Sequence, residues 1–137
     1  MLPHFGRARH RYAMRSPHLI LAPLRGFTDV VFRNAFKRHF GGVDEAVAPF
    51  ITSTKGRRIK PSHLRDLSPD QNQTMPVVPQ ILSNNSDEFV CLARTFFELG
   101  YEEINWNLGC PYPMVAKKCR GSGLLPYPER IDSLLTD

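Results

Sequence analysis

The chain has 137 residues, of which 42% are hydrophobic and 23% charged, a composition typical of a folded globular protein that excludes a disordered or collagen-like chain. Its 18 lysines and arginines against 13 aspartates and glutamates give a formal net charge of +5. The longest apolar run, Leu19 to Leu24, is far shorter than the ~20 residues of a membrane-spanning helix, so no membrane segment is predicted.

Residues 1–16 form a basic leader with four arginines and no acidic residue. The leader lacks the apolar core of a secretory signal, whereas an arginine-rich, acid-free composition is typical of an organellar transit peptide. Translation from Met14 rather than Met1, or a disordered basic tail, explains the same composition. We expect the leader to be disordered or not translated, and residues 17–137 to fold.

The first βα unit begins with an apolar run at residues 19–22, which Pro23 ends. Such a run predicts a buried strand that enters a loop. Thr28 is predicted to cap the following helix, and the pair Gly41-Gly42 to end it. The helix carries regularly spaced aromatic residues at Phe32, Phe36 and Phe40.

The second strand is predicted at residues 46–48 and the third at residues 77–82. Residues 51–75 are polar and interrupted by prolines, so a long loop with one helical turn near residues 63–67 is predicted between them. Pro79 lies within the third strand, where a proline is expected only at a sheet edge or an irregular strand end.

The second long helix is predicted to begin at Ser86 and to end at Gly100. A fourth strand at residues 103–107 precedes a Gly- and Pro-rich loop, and a last helix begins at Pro128. One face of the second helix is predicted to be apolar, with Phe89, Ala93, Phe96 and Phe97.

Strands that start near residues 19, 46, 76 and 103 have the spacing of βα units in a parallel sheet. We therefore predict an α/β fold. Four units fit either a small doubly wound sheet or half of a (β/α)8 TIM barrel, which needs ~250 residues. Because the chain ends at Asp137, inside or just after a helix, we expect a truncated protein.

The cysteines and histidines show no metal-ligand spacing. Cys91, Cys110 and Cys119 include no CxxC pair, and the five histidines include no HxxxH or HExxH motif. No metal site and no disulfide framework are predicted. An odd number of unpaired cysteines favours a reducing compartment, and we expect a cytoplasmic location.

Cys110 is the strongest candidate for a chemical role. It follows a polar-ended strand and precedes Pro111, so its thiol is expected at the sheet edge where parallel α/β folds build active sites. A cysteine thiol with the ordinary pKa of ~8.5 is mostly protonated at neutral pH, which suits a proton donor. A nucleophile would need a nearby base, and no histidine adjoins Cys110 in sequence. A general acid is therefore predicted.

Two short basic segments occupy predicted loops, at residues 55–65 and 117–120. Segments of this kind neutralise the phosphates of a polyanion such as RNA, but ordinary solvated loops carry them as well. Charge alone leaves both interpretations open.

Four segments resemble, in order, the motifs of the tRNA-dihydrouridine synthases. They are L-A-P-L at residues 21–24 with Thr28-Asp29, V-P-Q-I at residues 78–81, N-W-N-L-G-C-P at residues 105–111, and K-K-C-R-G-S-G-L-L at residues 117–125. The resemblance implies an FMN-containing (β/α)8 barrel that uses NADPH to reduce the C5=C6 bond of uridines in tRNA. Residues 17–137 would supply about the first four βα units of that barrel, without its C-terminal half or a helical tRNA-binding domain.

The resemblance also implies roles for single residues. Cys110 would donate a proton to C5 of the uridine, and Asn107 would face that uridine. Gln80 would bond the edge of the isoalloxazine ring, and the basic loops would hold tRNA phosphates. The segment along the flavin would be Pro23, Leu24 and Arg25.

Three positions depart from the family pattern. Ala48-Pro49 stands where a Thr-Glu pair is common, and Leu24-Arg25 stands where a methionine and a small or acidic residue are usual. Cys119 replaces a usual glycine and is either a second redox-sensitive thiol or a tolerated loop substitution. A lone half-barrel has open sheet edges, so we expect it to be inactive alone or to pair with itself.

Two other functions remain open. A flavin barrel of the dihydroorotate dehydrogenase type also pairs FMN with a catalytic Cys or Ser on a pyrimidine, but it needs no basic segments. A non-enzymatic fragment would bind RNA or a second half-barrel, would be colourless, and would keep its RNA affinity after Cys110→Ala.

Overall fold

The computed structural model describes residues 17–54 and 59–136, so the leader and part of the first basic segment lie outside the described residues. Its strands are β1 (Ile20–Leu21), β2 (Glu45–Val47), β3 (Ile51–Thr52), β4 (Val77–Val78), β5 (Gln80–Leu82) and β6 (Asn105–Trp106). Its α-helices are α1 (Val30–His39), α2 (Pro61–Asp66), α3 (Ser86–Glu98), α4 (Pro113–Ala116) and α5 (Pro128–Thr136). Short 3-10 turns lie at Pro69–Gln71 and Gly121–Leu124.

All strand pairs are parallel, which confirms the predicted α/β fold. β1 pairs with β2 and β2 with β4, while β3 pairs with β5 and β5 with β6. Since β2 and β3 belong to one stretch of chain and β4 and β5 to the next, four strand segments lie side by side in chain order. A doubly wound sheet reverses its strand order part-way, and these four segments show no reversal.

The second strand segment contains a bulge at residues 48–50. Val47 pairs with Val78 and Ile51 with Ile81, so four steps along one segment (47 to 51) match three along its neighbour (78 to 81). One extra residue therefore bends the second segment before β3 resumes the pairing. The prediction of a loop from residue 51 onward is wrong for Ile51–Thr52, because pairing with β5 continues the strand.

Pro79 divides the third segment into β4 and β5. Of the two places expected for this proline, the sheet edge is wrong, because Pro79 is fully buried and its segment has a neighbour on each side. The irregular strand end is confirmed, because β4 ends just before Pro79 and β5 begins just after it. Proline lacks the backbone N–H and contributes no donor to the sheet. Its carbonyl still accepts a hydrogen bond from the backbone N–H of Asn105 at 2.9 Å, which keeps the fourth strand in register.

Asp29, not Thr28, caps helix α1. The Asp29 carboxylate accepts the backbone N–H of Phe32 at 2.9 Å, as an N-cap does. The hydroxyl of Thr28 instead accepts from the backbone N–H of Leu24 at 2.8 Å and contacts its carbonyl at 3.3 Å. Thr28 thereby shapes the loop after β1 rather than the helix end.

The hydrophobic core lies between the sheet and helix α3. Leu92, Ala93 and Phe96 turn toward the sheet, whereas Phe97, which was predicted on that face, is 52% exposed. One residue further along a helix rotates the side chain by ~100°, which takes Phe97 away from the sheet. The buried cluster consists of Ala48, Ile51, Leu67, Ile81, Leu92, Ala93 and Phe96.

A buried arginine fastens α1 to the segment that precedes β4. Arg33 is 1% exposed, and its guanidinium donates to the carbonyls of Thr28 and Asp66 at 2.8 and 2.7 Å and to the side chain of Asn72 at 2.8 Å. The Asp66 carboxylate accepts from Arg33 at 3.2 Å and from the Val30 N–H at 2.6 Å. The predicted helical turn is thus helix α2, and this network orders it.

The helices within the described residues are all too short or too polar to cross a membrane.

Candidate active site

A pocket of about 520 Å³ lies where the strand segments end. Its volume is in the range of small-molecule and cofactor sites. The loop after β1, the bulge at residues 48–50, strand β5 and the loop after β6 all contribute to its wall. The structure brings together all six residues that the sequence suggested for the site, namely Pro23, Leu24, Arg25, Gln80, Asn107 and Cys110.

A chain of side-chain amides joins two residues of the pocket wall, Gln80 and Asn107, to Asn105. Gln80, which is 6% exposed, donates from Nε2 to the Asn105 Oδ1 at 2.7 Å and accepts at Oε1 from the Asn107 Nδ2 at 2.9 Å. A glutamine amide has two donor hydrogens and two acceptor lone pairs. Gln80 therefore keeps one donor and one acceptor position for a ligand with adjacent donor and acceptor groups.

The backbone of Cys110 is held on both sides. Its N–H donates to the Asn107 Oδ1 at 2.9 Å, and its carbonyl accepts from both the N–H and the hydroxyl of Ser122 at 3.1 Å. The residue itself is half-buried in the pocket wall. Ser122 belongs to the K-K-C-R-G-S-G-L-L motif at residues 117–125, but no role was predicted for it.

Two glycines allow the segment at residues 121–123 to pack against this loop. Gly121 has φ +55°, and a Cβ there would lie 2.7 Å from the Cys110 carbonyl oxygen. A Cβ on Gly123 would lie 2.1 Å from the carbonyl oxygen of Ala116. Both contacts are far inside van der Waals distance, so glycine is required at each position.

Cys119 occupies a backbone conformation that favours glycine. Its φ is +50°, and no other non-glycine residue in the described ranges has a positive φ. Left-handed backbone costs an L-residue energy that glycine avoids. This explains why a glycine is suited to position 119; a redox role for the thiol stays one of two alternatives.

Two of the three departures from the family pattern meet at the pocket. The Arg25 guanidinium lies 5.1 Å from the centre of the Phe50 ring, a cation–π distance, and the bulge at residues 48–50 brings Phe50 there. The positive charge of Arg25 also acts on His63. Its pKa is lowered by burial first, then by the charges of Lys60 and Arg25, so its imidazole is mostly neutral at pH 7.

The second basic segment separates into two kinds of residue. Lys117 and Lys118 are exposed, whereas Arg120 lies 3.7 Å from the Glu88 carboxylate and is 21% exposed. Residues 55–58 of the first segment lie outside the described residues. Within residues 17–54 and 59–136, no three His, Cys, Asp or Glu side chains are grouped as metal ligands would be.

Comparison with known proteins identifies the family. Residues 20–137 match the family model described as dihydrouridine synthase (Dus). The chain belongs to the dihydrouridine synthase family. This confirms the resemblance drawn from the motifs and decides against the dihydroorotate dehydrogenase type as the family of this chain.

Three curated dihydrouridine synthases illustrate the similarity. The chain is 34% identical over 119 residues to the tRNA-dihydrouridine(16) synthase of Neisseria meningitidis serogroup B, covering 82% of this chain and 35% of that protein. It is 34% identical over 119 residues to tRNA-dihydrouridine synthase B of Yersinia pestis, covering 86% and 36%. It is 32% identical over 131 residues to tRNA-dihydrouridine synthase B of Escherichia coli K12, covering 93% and 38%. The chain thus spans little more than a third of the length of these relatives.

Proposed function

We propose that this dihydrouridine synthase chain forms the first four βα units of an FMN-dependent (β/α)8 barrel that reduces uridine in tRNA to dihydrouridine with NADPH. One observation carries the proposal: Gln80, Asn107 and Cys110 are joined by hydrogen bonds around a single pocket. The chain order of the strand segments supports the barrel, whose active site lies at the carboxyl ends of its strands.

The pocket suits the ring of a flavin. Gln80 has one donor and one acceptor position free, which match the alternating groups at an isoalloxazine edge. Pro23 and Leu24 supply an apolar wall, and Arg25 lies beside them. When bound here and reduced by NADPH, FMN would supply a hydride for C6 of the uridine.

Cys110 supplies the proton in this proposal. Hydride addition at C6 of a uridine would move negative charge toward C5 and the C4 carbonyl, and the Cys110 thiol would donate the proton that C5 then needs. The thiolate then regains a proton from water. Asn107 holds the Cys110 N–H through its Oδ1, and its second Nδ2 hydrogen is free to contact the uridine.

The substrate is proposed to be a tRNA, and the protein to act in the cytoplasm. A uridine inside a folded tRNA must leave its stack to enter the pocket. Lys117 and Lys118 are exposed and follow Cys110 by seven and eight residues in the chain, so their charges are suited to phosphates beside the extruded base.

Flavin binding tests the proposal at the pocket. We expect the purified protein, refolded with FMN, to retain a flavin absorbance spectrum and to elute as a defined species, and its elution volume reports any self-pairing. Gln80→Leu is expected to weaken FMN binding about tenfold, the worth of one to two hydrogen bonds. The control Gln73→Leu changes an exposed glutamine away from the pocket and should bind FMN normally.

A colourless protein, or a Gln80→Leu variant that binds FMN as tightly as its control, would contradict the flavin assignment. In that case retained RNA affinity after Cys110→Ala would favour a non-enzymatic RNA-binding protein.

A further inference from the structure

We propose that Arg120 is a positioning residue for Cys110, acting through residues 121–123, and is not a phosphate ligand like its basic neighbours. The effect of Arg120 on catalysis rests on the proposed function. Its effect on the position of Cys110 does not, because that depends only on contacts within the chain.

Arg120 is bound within the protein rather than presented to a partner. Its Nε donates to the Asn84 Oδ1 at 3.1 Å, and its NH2 lies 3.7 Å from the Glu88 Oε2. The Asn84 Nδ2 donates in turn to the carbonyl of Lys118 at 3.0 Å. Asn84 therefore bonds to the second basic segment at both Lys118 and Arg120, the residues on either side of Cys119.

The anchor of Arg120 is itself fixed to the sheet. The Glu88 Oε2 lies 2.9 Å from the hydroxyl of Ser53, which lies 2.7 Å from the hydroxyl of Ser83. Both serines are almost fully buried, and they follow the ends of β3 and β5. Asn85, the N-cap of α3, holds this helix start in place by accepting the Glu88 N–H at 2.9 Å. Glu88 is therefore held in place by strands β3 and β5 and by the start of helix α3, and it gives Arg120 a fixed partner.

From Arg120 the contacts continue directly to Cys110. Gly121 follows in the chain and packs so closely on Cys110 that no Cβ fits between them. Ser122 donates two hydrogen bonds to the Cys110 carbonyl. If Arg120 lost its partners, the segment that holds this carbonyl would be released from the sheet.

The same geometry argues against a phosphate contact by Arg120. Its guanidinium would have to leave a carboxylate and an amide before binding a phosphate, while Lys117 and Lys118 are exposed and, among the described residues, have no ion-pair partner. The net gain from a new ionic contact is small when an existing one must break. The two lysines therefore suit a polyanion, and the arginine suits the support of the loop.

Arg120→Gln tests this role against Lys118→Gln, which removes the same charge from the same segment. Alkylation of the purified protein with iodoacetamide, followed by mass analysis of each cysteine peptide, gives the rate for Cys110 relative to exposed Cys91 in the same molecule. We expect Arg120→Gln to raise this ratio about two- to tenfold, the range set by one net hydrogen bond, because a released loop exposes the thiol. Lys118→Gln should leave it unchanged.

Binding of an unmodified tRNA transcript at several salt concentrations supplies the second readout. Lys118→Gln should reduce the magnitude of the negative slope of log affinity against log salt by about 0.7 to 0.9, and Arg120→Gln should leave that slope unchanged. In the reductase assay Arg120→Gln should lower kcat and leave KM for the tRNA unchanged.

The proposal is overturned if Arg120→Gln and Lys118→Gln give the same Cys110 ratio, or if Arg120→Gln lowers the salt slope as the lysine variant does. If Arg120→Gln unfolds the protein, Ser122→Ala decides, since it removes only one bond to the Cys110 carbonyl; an unchanged ratio there also overturns the proposal. Failure of the wild-type protein to bind tRNA would instead refute the proposed function, while the alkylation result would still decide the role of Arg120.

Discussion

Gly121→Ala places a methyl group where the Cys110 loop leaves no space. The new Cβ would lie 2.7 Å from the Cys110 carbonyl oxygen and 3.1 Å from a methyl group of Val115. The left-handed backbone at φ +55° costs a non-glycine residue about 1–2 kcal/mol. Opening the two contacts costs about 1–3 kcal/mol more, and the stiffer unfolded chain returns about 0.4–1 kcal/mol. We therefore expect the free energy of unfolding to fall by about 1–5 kcal/mol.

Urea unfolding followed by the fluorescence of Trp106, the single tryptophan, measures this loss. Gly109→Ala is the matched control, because Gly109 precedes Cys110 directly, has no positive φ, and has no atom within 4 Å of an added Cβ. We expect the control to change the unfolding free energy by less than about 0.5 kcal/mol. Equal losses in the two variants would show that residues 121–123 do not pack on Cys110, and the reasoning would fail.

Three further predictions concern the rest of the chain. Arg33→Met removes a buried guanidinium and leaves its acceptors without a donor, so the free energy of unfolding measured in urea should fall by about 3 kcal/mol. The control Arg38→Met changes an exposed arginine and should alter that free energy by less than about 0.5 kcal/mol. Equal effects would exclude the buried network. Burial and the charge of Lys60 lower the pKa of His63, so its stabilising contribution is complete above pH ~6.5 and is lost as the pH falls. The thermal stability of His63→Gln should therefore depend less on pH between 7 and 5 than that of the wild type. A steeper dependence in the variant would mean that the pKa of His63 is raised by folding rather than lowered. Cys119→Gly relieves a backbone at φ +50° and should raise the unfolding free energy by up to about 1 kcal/mol, so a clear loss of stability would contradict the conformation.

The strands were predictable because apolar runs bounded by proline or glycine are a local property of the sequence. The local sequence did not predict where a strand is interrupted or where it resumes. Pro79 indicated a sheet edge or an irregular strand end, and local sequence could not decide between them. The structure has the irregular end inside the sheet, where the missing donor is tolerated because the Pro79 carbonyl still accepts from the Asn105 N–H. The strand at Ile51–Thr52 was missed because its pairing with β5 compensates for a polar, short sequence.

The site was predictable to the extent that its residues are carried by motifs. Parallel strands bring their carboxyl ends to one edge, so Gln80 and Cys110 were expected near each other although 30 positions separate them in the sequence. The supports of the site, Ser122 and Arg120, were not recognised, because their partners lie on other elements and a basic segment alone indicates a solvated or phosphate-binding loop. The buried Arg33 was missed for the same reason.

Dihydrouridine formation by Cys110→Ala tests the central claim most directly. The purified protein, in the self-paired form that the half-barrel is expected to need for activity, is supplied with FMN, NADPH and an unmodified tRNA transcript. Dihydrouridine is measured in a single turnover, with Cys91→Ala as the matched cysteine control. The account predicts that Cys110→Ala slows reduction by about 100-fold or more, the usual contribution of a general acid, while tRNA and flavin binding are retained and Cys91→Ala behaves as the wild type. Reduction at the wild-type rate by Cys110→Ala would show that the thiol in this pocket is not the proton donor.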